Sequence, residues 1–291
     1  MHGLDSAVAP PAETAKAMLQ QIGGSWWGIY VGGPRATHAW KPAEVDAYRA
    51  VGITQFLLTY VGRQEKDVAL LTKTQGDTDG EAAVRLAATF GFGAGEPLAL
   101  DLEQRTFNAA PSKSLDYIEG WVASVRRQGW RPGVYTNTGP LTALAERAVQ
   151  PDFVWVARFV RQAFDPTIDH SRIKGLADHL YAGRRAFQYV GDTQLPGFGH
   201  NVDIDVTDAA SGCLTGSTPG SLPLKVAPPT EEDDMFTFTT AGKPVFFVAG
   251  GKAVGLNSAN DLVAIKKAVP GIPELKLDAD TFNAFLAVYR D

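Results

Sequence analysis

The chain has 291 residues, 45% hydrophobic and 20% charged, with 27 basic against 32 acidic side chains for a net charge of −5. That is the composition of a globular protein long enough for one large domain and a small one. It lacks the basic stripe of a nucleic-acid binder and any apolar run near the roughly 20 residues of a membrane span. One cysteine, Cys213, excludes an internal disulfide framework and a thiolate metal cluster; it is expected to be an inert thiol at a domain edge. The first residues show no basic region followed by an apolar core, and with a first strand predicted from Gly3 no cleaved leader is expected.

In chain order, short β-rich apolar runs alternate with helical patterns, the mark of βα units around a parallel sheet. The predicted strands are Gly3–Asp5, Trp27–Val31, Ile53–Tyr60, Pro97–Glu103, Gly133–Tyr135, Phe153–Ala157, Ala186–Val190 and Val202–Val206. Helices are predicted at Ala12–Gln21, Pro42–Val51, Gly80–Phe92, Ser112–Gln128, Gly139–Ala148 and Ile173–Tyr181. The fourth is the clearest: Ser112 can cap it, and Leu115, Ile118, Val122 and Val125 recur at helical spacing. Asp77-Thr78-Asp79-Gly80 reads as a cap before Glu81, since it lacks the remaining ligands of a calcium loop. Eight parallel strands with outer helices predict an α/β fold of the (β/α)8 TIM-like class over residues 1–210. An open doubly wound sheet is disfavoured because no Gly-x-Gly-x-x-Gly turn follows the first strand.

From 211 to 234 the composition turns to Ser, Gly, Pro and then acid, which reads as a linker. Residues 235–291 read as a small α+β module. A three-stranded meander is expected at Met235–Thr239, Pro244–Val248 and Ala253–Leu256. Two helices follow, one capped by Ser258 with Asp261 and one by Asp278.

Five carboxylates stand at the ends of otherwise apolar strands: Asp5, Asp101 with Glu103, and Asp203 with Asp205. Residues i and i+2 of a strand share a face, so each pair projects together. Acids in apolar strands are costly unless paired or functional, and clustering raises a carboxyl pKa toward the range of proton transfer. In a barrel of this class, catalytic side chains come from the C-terminal strand ends. Tyr30, Tyr60, Tyr135, Asn137, Trp155, Arg158, Gln188 and Tyr189 occupy similar positions. Acids, flat rings and amides together suit a sugar, whose ring has polar edges and apolar faces. Glycoside cleavage needs a protonated acid and a second carboxylate. Glu103 is the candidate acid, with Asp101 two residues earlier raising its pKa and Asp5, Asp203 and Asp205 as partners. His200, Asp203 and Asp205 form a His-x-x-Asp-x-Asp string, but no second histidine lies at ligand spacing. Neither metal nor cofactor is expected.

Gly3-Leu4-Asp5-Ser6, Tyr30-Val31-Gly32-Gly33, Leu100-Asp101-Leu102-Glu103, Gly133-Val134-Tyr135-Thr136-Asn137, Phe187-Gln188-Tyr189 and Val202-Asp203-Ile204-Asp205 occur in an order that resembles a known family. It is the glycoside-hydrolase-like (β/α) barrel domain of actinobacterial and actinophage proteins, related to the Chalaropsis-type lysozymes. The resemblance implies recognition, and in muramidases hydrolysis, of the peptidoglycan glycan strand. It matches Asp101 and Glu103 to the proton-donor motif, and Asp5 with Asp203 or Asp205 to acids lining the cleft. Asp5-Ser6-Ala7-Val8 departs from the muramidase pattern, in which a Ser/His-aromatic segment follows the first Asp. The C-terminal module resembles those of actinophage lysis and tail proteins. The expected function is a phage-associated peptidoglycan hydrolase, acting as endolysin or virion-associated lysin. The alternative is a minor tail or fibre protein whose barrel binds surface glycan without cutting. Expected partners are bacterial cell-wall glycan, and other virion proteins or a second copy through the C-terminal module. The expected place is the phage virion, or the host cytoplasm before release to the wall.

Overall fold

The structure is a computed structural model; it describes residues 1–216 and four later strands. The chain divides into two compact units, Met1–Leu222 and Pro223–Asp291. In the first, eight strands close into a barrel in sequence order: β1 (His2–Asp5), β2 (Trp26–Gly32), β3 (Gln55–Val61), β4 (Pro97–Asp101), β5 (Arg131–Thr136), β6 (Phe153–Ala157), β7 (Arg185–Gln194) and β8 (Asn201–Thr207). Helices α1 (Ala12–Gln21), α2 (Pro42–Ala50), α3 (Lys73–Thr89), α4 (Gln104–Ala109), α5 (Pro111–Arg127) and α6 (Leu141–Ala145) occupy the connections up to β6. This is the predicted α/β TIM-like barrel, and among the described residues no helix is long and apolar enough to cross a membrane.

Three expectations are corrected. The sheet is not wholly parallel: β8 runs antiparallel to both β1 and β7. Only residues 195–200 separate β7 from β8, whereas a parallel crossover takes a dozen residues or more, so the chain turns back as a hairpin. The helix expected at Ile173–Tyr181 is absent; residues 158–184 link β6 to β7 through turns. Finally, α3 starts at Lys73, capped by Thr72 Oγ1 accepting from Gln75 N–H at 3.1 Å. Asp79 is therefore no cap but a buried residue inside the helix.

Alternation along the strands divides the core. Outward residues such as Trp27, Leu58, Leu100 and Val156 pack under the helices. Inward, Trp26, Leu57, Ala99, Phe153, Trp155, Ala186, Cys213 and Leu214 fill the barrel. Large rings fit because glycine faces them: a Cβ on Gly3 would lie 2.2 Å from the Trp26 ring, and one on Gly133 2.2 Å from Phe153. Helices α3 and α5 meet at the same closeness, a Cβ on Gly76 falling 2.0 Å from the Tyr117 carbonyl oxygen.

The compositional shift at Ser211 does not end the barrel. Thr215 exchanges hydrogen bonds with the Phe56 backbone at 2.8 and 2.9 Å, and Cys213 and Leu214 plug the interior. In the second unit β9 (Phe236–Thr239), β10 (Phe246–Ala249) and β11 (Lys252–Gly255) form an antiparallel meander. A fourth strand, β12 (Glu274–Lys276), pairs parallel to β9. The helices expected around Ser258 and after Asp278 lie outside the described residues.

Candidate active site

Strand direction decides which acids meet. Asp5 and Asp101 end β1 and β4, whereas Asp203 stands near the start of β8; because β8 is reversed, that start lies at the same barrel mouth. Asp203 is the register partner of Asp5, and Asp205 sits two residues deeper, opposite Gly3. Gly28 makes the room, since a Cβ there would fall 2.5 Å from that of Asp5.

Asp5 and Asp205 are fully buried. Gln188 Nε2 donates to Asp5 at 2.8 Å and to Asp203 at 3.2 Å, and the Tyr30 hydroxyl donates to Asp5 at 3.2 Å. Trp155 Nε1 donates to one Asp205 oxygen at 2.8 Å. The other Asp205 oxygen has no donor from any neighbouring N–H or hydroxyl, but Asp205 lies within hydrogen-bonding reach of Asp5. Two such carboxyls can hydrogen-bond only by sharing a proton. Burial, then the charge of Asp5, drives the Asp205 pKa well up, and burial raises that of Asp5. Asp203 is pushed up to about 8 by burial and the charge of Asp5. Its other oxygen takes the Asp192 N–H at 2.5 Å, presented by a left-handed residue with φ 49° in the irregular β7–β8 pairing.

The second acid pair straddles a corner. Asp101 ends β4 and is 8% exposed, with one oxygen lacking any donor. Glu103 is the N-cap residue of α4, its side chain 41% exposed and ion-paired to Arg105 at 2.6 Å. Arg105 also reaches Glu65 at 3.6 Å. Burial, with the charges of Glu103 and Asp5 added and Arg105 opposing, pushes Asp101 up to about 8. Asp101, like Asp203, is thus a carboxyl raised toward the neutral range. Both acids line one open cleft of about 590 Å3, together with Tyr30, Gln64, Arg35 and Lys66.

The predicted aromatics divide. Tyr30 reaches the cleft and Asp5, while Tyr135 stacks edgewise on Trp155 at 4.7 Å and donates to Gln188 Oε1 at 2.9 Å. Trp155 is fully buried and holds Asp205 instead of offering a sugar platform. Tyr60 and Tyr189 point outward, one residue out of phase with the interior, and Tyr189 meets His2 and the Asp165 backbone of the 158–184 loop. Asn137 donates to the Ala157 carbonyl at 3.1 Å, and Arg158 to Thr138 at 3.3 Å. Sequence reasoning missed Gln64, Arg35 and Arg105, which lie on loops or a helix start where no periodicity marks them. Arg105 in the first turn of a helix opposes the helix dipole, and that mismatch was its one readable signal. Among the described residues no three of His, Cys, Asp and Glu are placed to share a metal ion.

A model of the Rv2525c-like, glycoside hydrolase-like domain matches residues 17–209. The chain belongs to this Rv2525c-like family. No curated protein matches it. Among solved structures it is similar to an uncharacterized B. stearothermophilus protein, with TM-score 0.57 and 20% identity over 74% of this chain and 99% of that one. It is also similar to the Mycobacterium tuberculosis Tat-secreted protein Rv2525c, solved with L-tartrate, at TM-score 0.52 and 16% identity over 71% and 95% of the two chains. The modular autolysin LytC of Streptococcus pneumoniae aligns at TM-score 0.51 and 14% identity over 70% of this chain and 46% of that one; LytC has also been solved with a synthetic peptidoglycan ligand. These likenesses are of fold: a glycoside-hydrolase-like barrel resembling that of an autolysin.

Proposed function

We propose that this member of the Rv2525c-like family is a muramidase-like glycoside hydrolase of bacterial cell-wall glycan. The observation that carries the reading is the acid pair: Asp101, a carboxyl whose pKa burial raises toward the neutral range, and Glu103 line one solvent-open cleft from a single turn. Cleavage of a glycosidic bond asks for that division, one group to protonate the leaving oxygen and one to stabilise, attack or activate water at the cationic centre. Asp5 and Asp203 stand at the same barrel mouth with Asp205 two residues deeper, and Tyr30 and Gln188 donate hydrogen bonds to Asp5 and Asp203. The peptidoglycan ligand of the similarly folded LytC supports the choice of substrate.

Purified cell walls from several actinobacteria provide the test. Wild-type protein is expected to release reducing sugar, and Asp101→Asn and Glu103→Gln each to lose at least about 100-fold in rate, within the range of acid catalysis, while still sedimenting with the walls. Wild-type inactivity on the whole panel refutes hydrolysis. One observation favours a second reading, glycan binding without cleavage: the Arg105 ion pair at 2.6 Å occupies Glu103. Sedimentation without sugar release separates the two. The finer reading is a phage-associated lysin, acting as endolysin or virion-borne enzyme, with a minor tail or fibre protein as its non-catalytic counterpart. Support for it is the sequence resemblance and the second unit joined to the barrel; a fixed copy number in purified particles distinguishes a virion component from a free lysin.

A further inference from the structure

The turn bearing the acid pair is held from one side by a single amide. Gln64, just past β3, accepts from the Thr106 hydroxyl at 2.8 Å and from Glu103 N–H at 3.4 Å, and donates to the Asp101 carbonyl at 3.4 Å. Its oxygen faces two donors and its nitrogen faces an acceptor, so the amide fits only one way round. The same Asp101 carbonyl accepts the Gly62 N–H at 3.0 Å. The loop 62–67 is thereby stitched to residues 101–106 through both backbone and side chain.

That loop is itself anchored far from the cleft. Arg63 grips Asp79 of α3 through two nitrogens at 2.9 and 3.2 Å. Asp79, 4% exposed, also accepts from Tyr117 of α5 and from Gln75, each at 2.8 Å. On the other side Gln64 N–H donates to Asp67 at 3.2 Å, and Asp67 pairs with Arg35 of the preceding strand–helix loop. A carboxylate as buried as Asp79 is costly unless it is paired and hydrogen-bonded, and Arg63, Tyr117 and Gln75 supply those partners.

We infer that Gln64 is a positioning residue for the Asp101–Glu103 turn, braced by the Arg63–Asp79 pair. The inference rests on the glycosidase reading for its effect on rate, and on geometry alone for its effect on the turn. An amide that holds both the carbonyl of Asp101 and the N–H of Glu103 sets the direction of both acids toward substrate. A misplacement of about 1 Å at such a group costs up to roughly 100-fold in rate.

The experiment compares the full-length wild type with Gln64→Met, which keeps the bulk and removes all three polar contacts, and with Asp79→Asn, which lies outside the cleft. On soluble wall fragments, Gln64→Met is expected to lower kcat about 10- to 100-fold with KM changed less than about 3-fold, the pattern of lost alignment. Asp79→Asn is expected to repeat the effect more weakly with an unchanged circular dichroism spectrum. Carboxyl carbon NMR of Asp101 serves as a readout independent of turnover; its midpoint is expected to fall in Gln64→Met as water enters the loosened turn. Wild-type kcat and an unmoved Asp101 titration in Gln64→Met overturn the inference, as does a rise in KM alone. If the wild-type protein cleaves no wall, the glycosidase reading fails by itself, and the Asp101 titration still decides the role of Gln64.

Discussion

Replacing Asp101 by Asn removes the charge of this carboxyl while keeping its shape, and pH turns that into a measurable free energy. In the folded protein burial, Glu103 and Asp5 hold Asp101 protonated to about 8, against an ordinary value of 3.8. A carboxyl raised by folding binds more protons in the native than in the unfolded state between those two values. Its contribution to stability is therefore complete below about pH 4 and is lost as pH rises toward 8. The interval is about 4 units, worth on the order of 5 kcal/mol by pH 8 and about 3 kcal/mol at pH 6. Asparagine has no such titration, so the stability of Asp101→Asn relative to wild type should climb by several kcal/mol between pH 4.5 and 8. All six tryptophans lie between Trp26 and Trp155, so intrinsic fluorescence during urea unfolding reports the barrel unit alone. A difference between the two proteins that stays constant across pH refutes a buried, proton-holding Asp101.

The raised values of Asp203, Asp5 and Asp205 act in the same direction, so the wild-type barrel should itself unfold at lower urea at pH 8 than at pH 5. Trp155→Phe removes the indole donor at 2.8 Å from Asp205. It should cost about 1–3 kcal/mol, as for other buried groups deprived of a partner, measured by chemical unfolding at pH 5; an unchanged midpoint counts against the assigned bond. Arg105→Ala withdraws the cation that opposes the raised pKa of Asp101, so the Asp101 NMR titration should move upward. A downward move would mean that the ion pair with Glu103 dominates by some other route. Cys213 is fully buried and its thiol is pushed up to about 12 by that burial; it should resist a disulfide-exchange reagent in native protein at pH 8 and react fully in denaturant.

The alternation of apolar runs with helical patterns was enough to place the eight strands and the barrel class, because a strand buried under helices must be apolar wherever it lies. The same pattern located Asp5, Asp101, Asp203 and Asp205, since an acid inside an apolar run stands out whatever surrounds it. Periodicity says which residues share a face without saying which face is inward, and so it admitted Tyr60 and Tyr189, which point outward from the barrel. The reversal of the last strand escaped the sequence, because the predicted strands left residues 191–201 between them, whereas β7 runs on to Gln194 and leaves only 195–200, too few for a parallel crossover; that reversal brings the start of β8 to the mouth. What only the tertiary structure decided is charge and company. The pKa of Asp101 is raised because of burial and because Glu103 and Asp5 converge on it from other elements, and Gln64, Arg63 and Asp79 come together only when β3, α3 and α5 pack. Hydrophobic order is written locally along a chain, whereas a pKa depends on solvent exclusion and on charges that folding alone brings within reach.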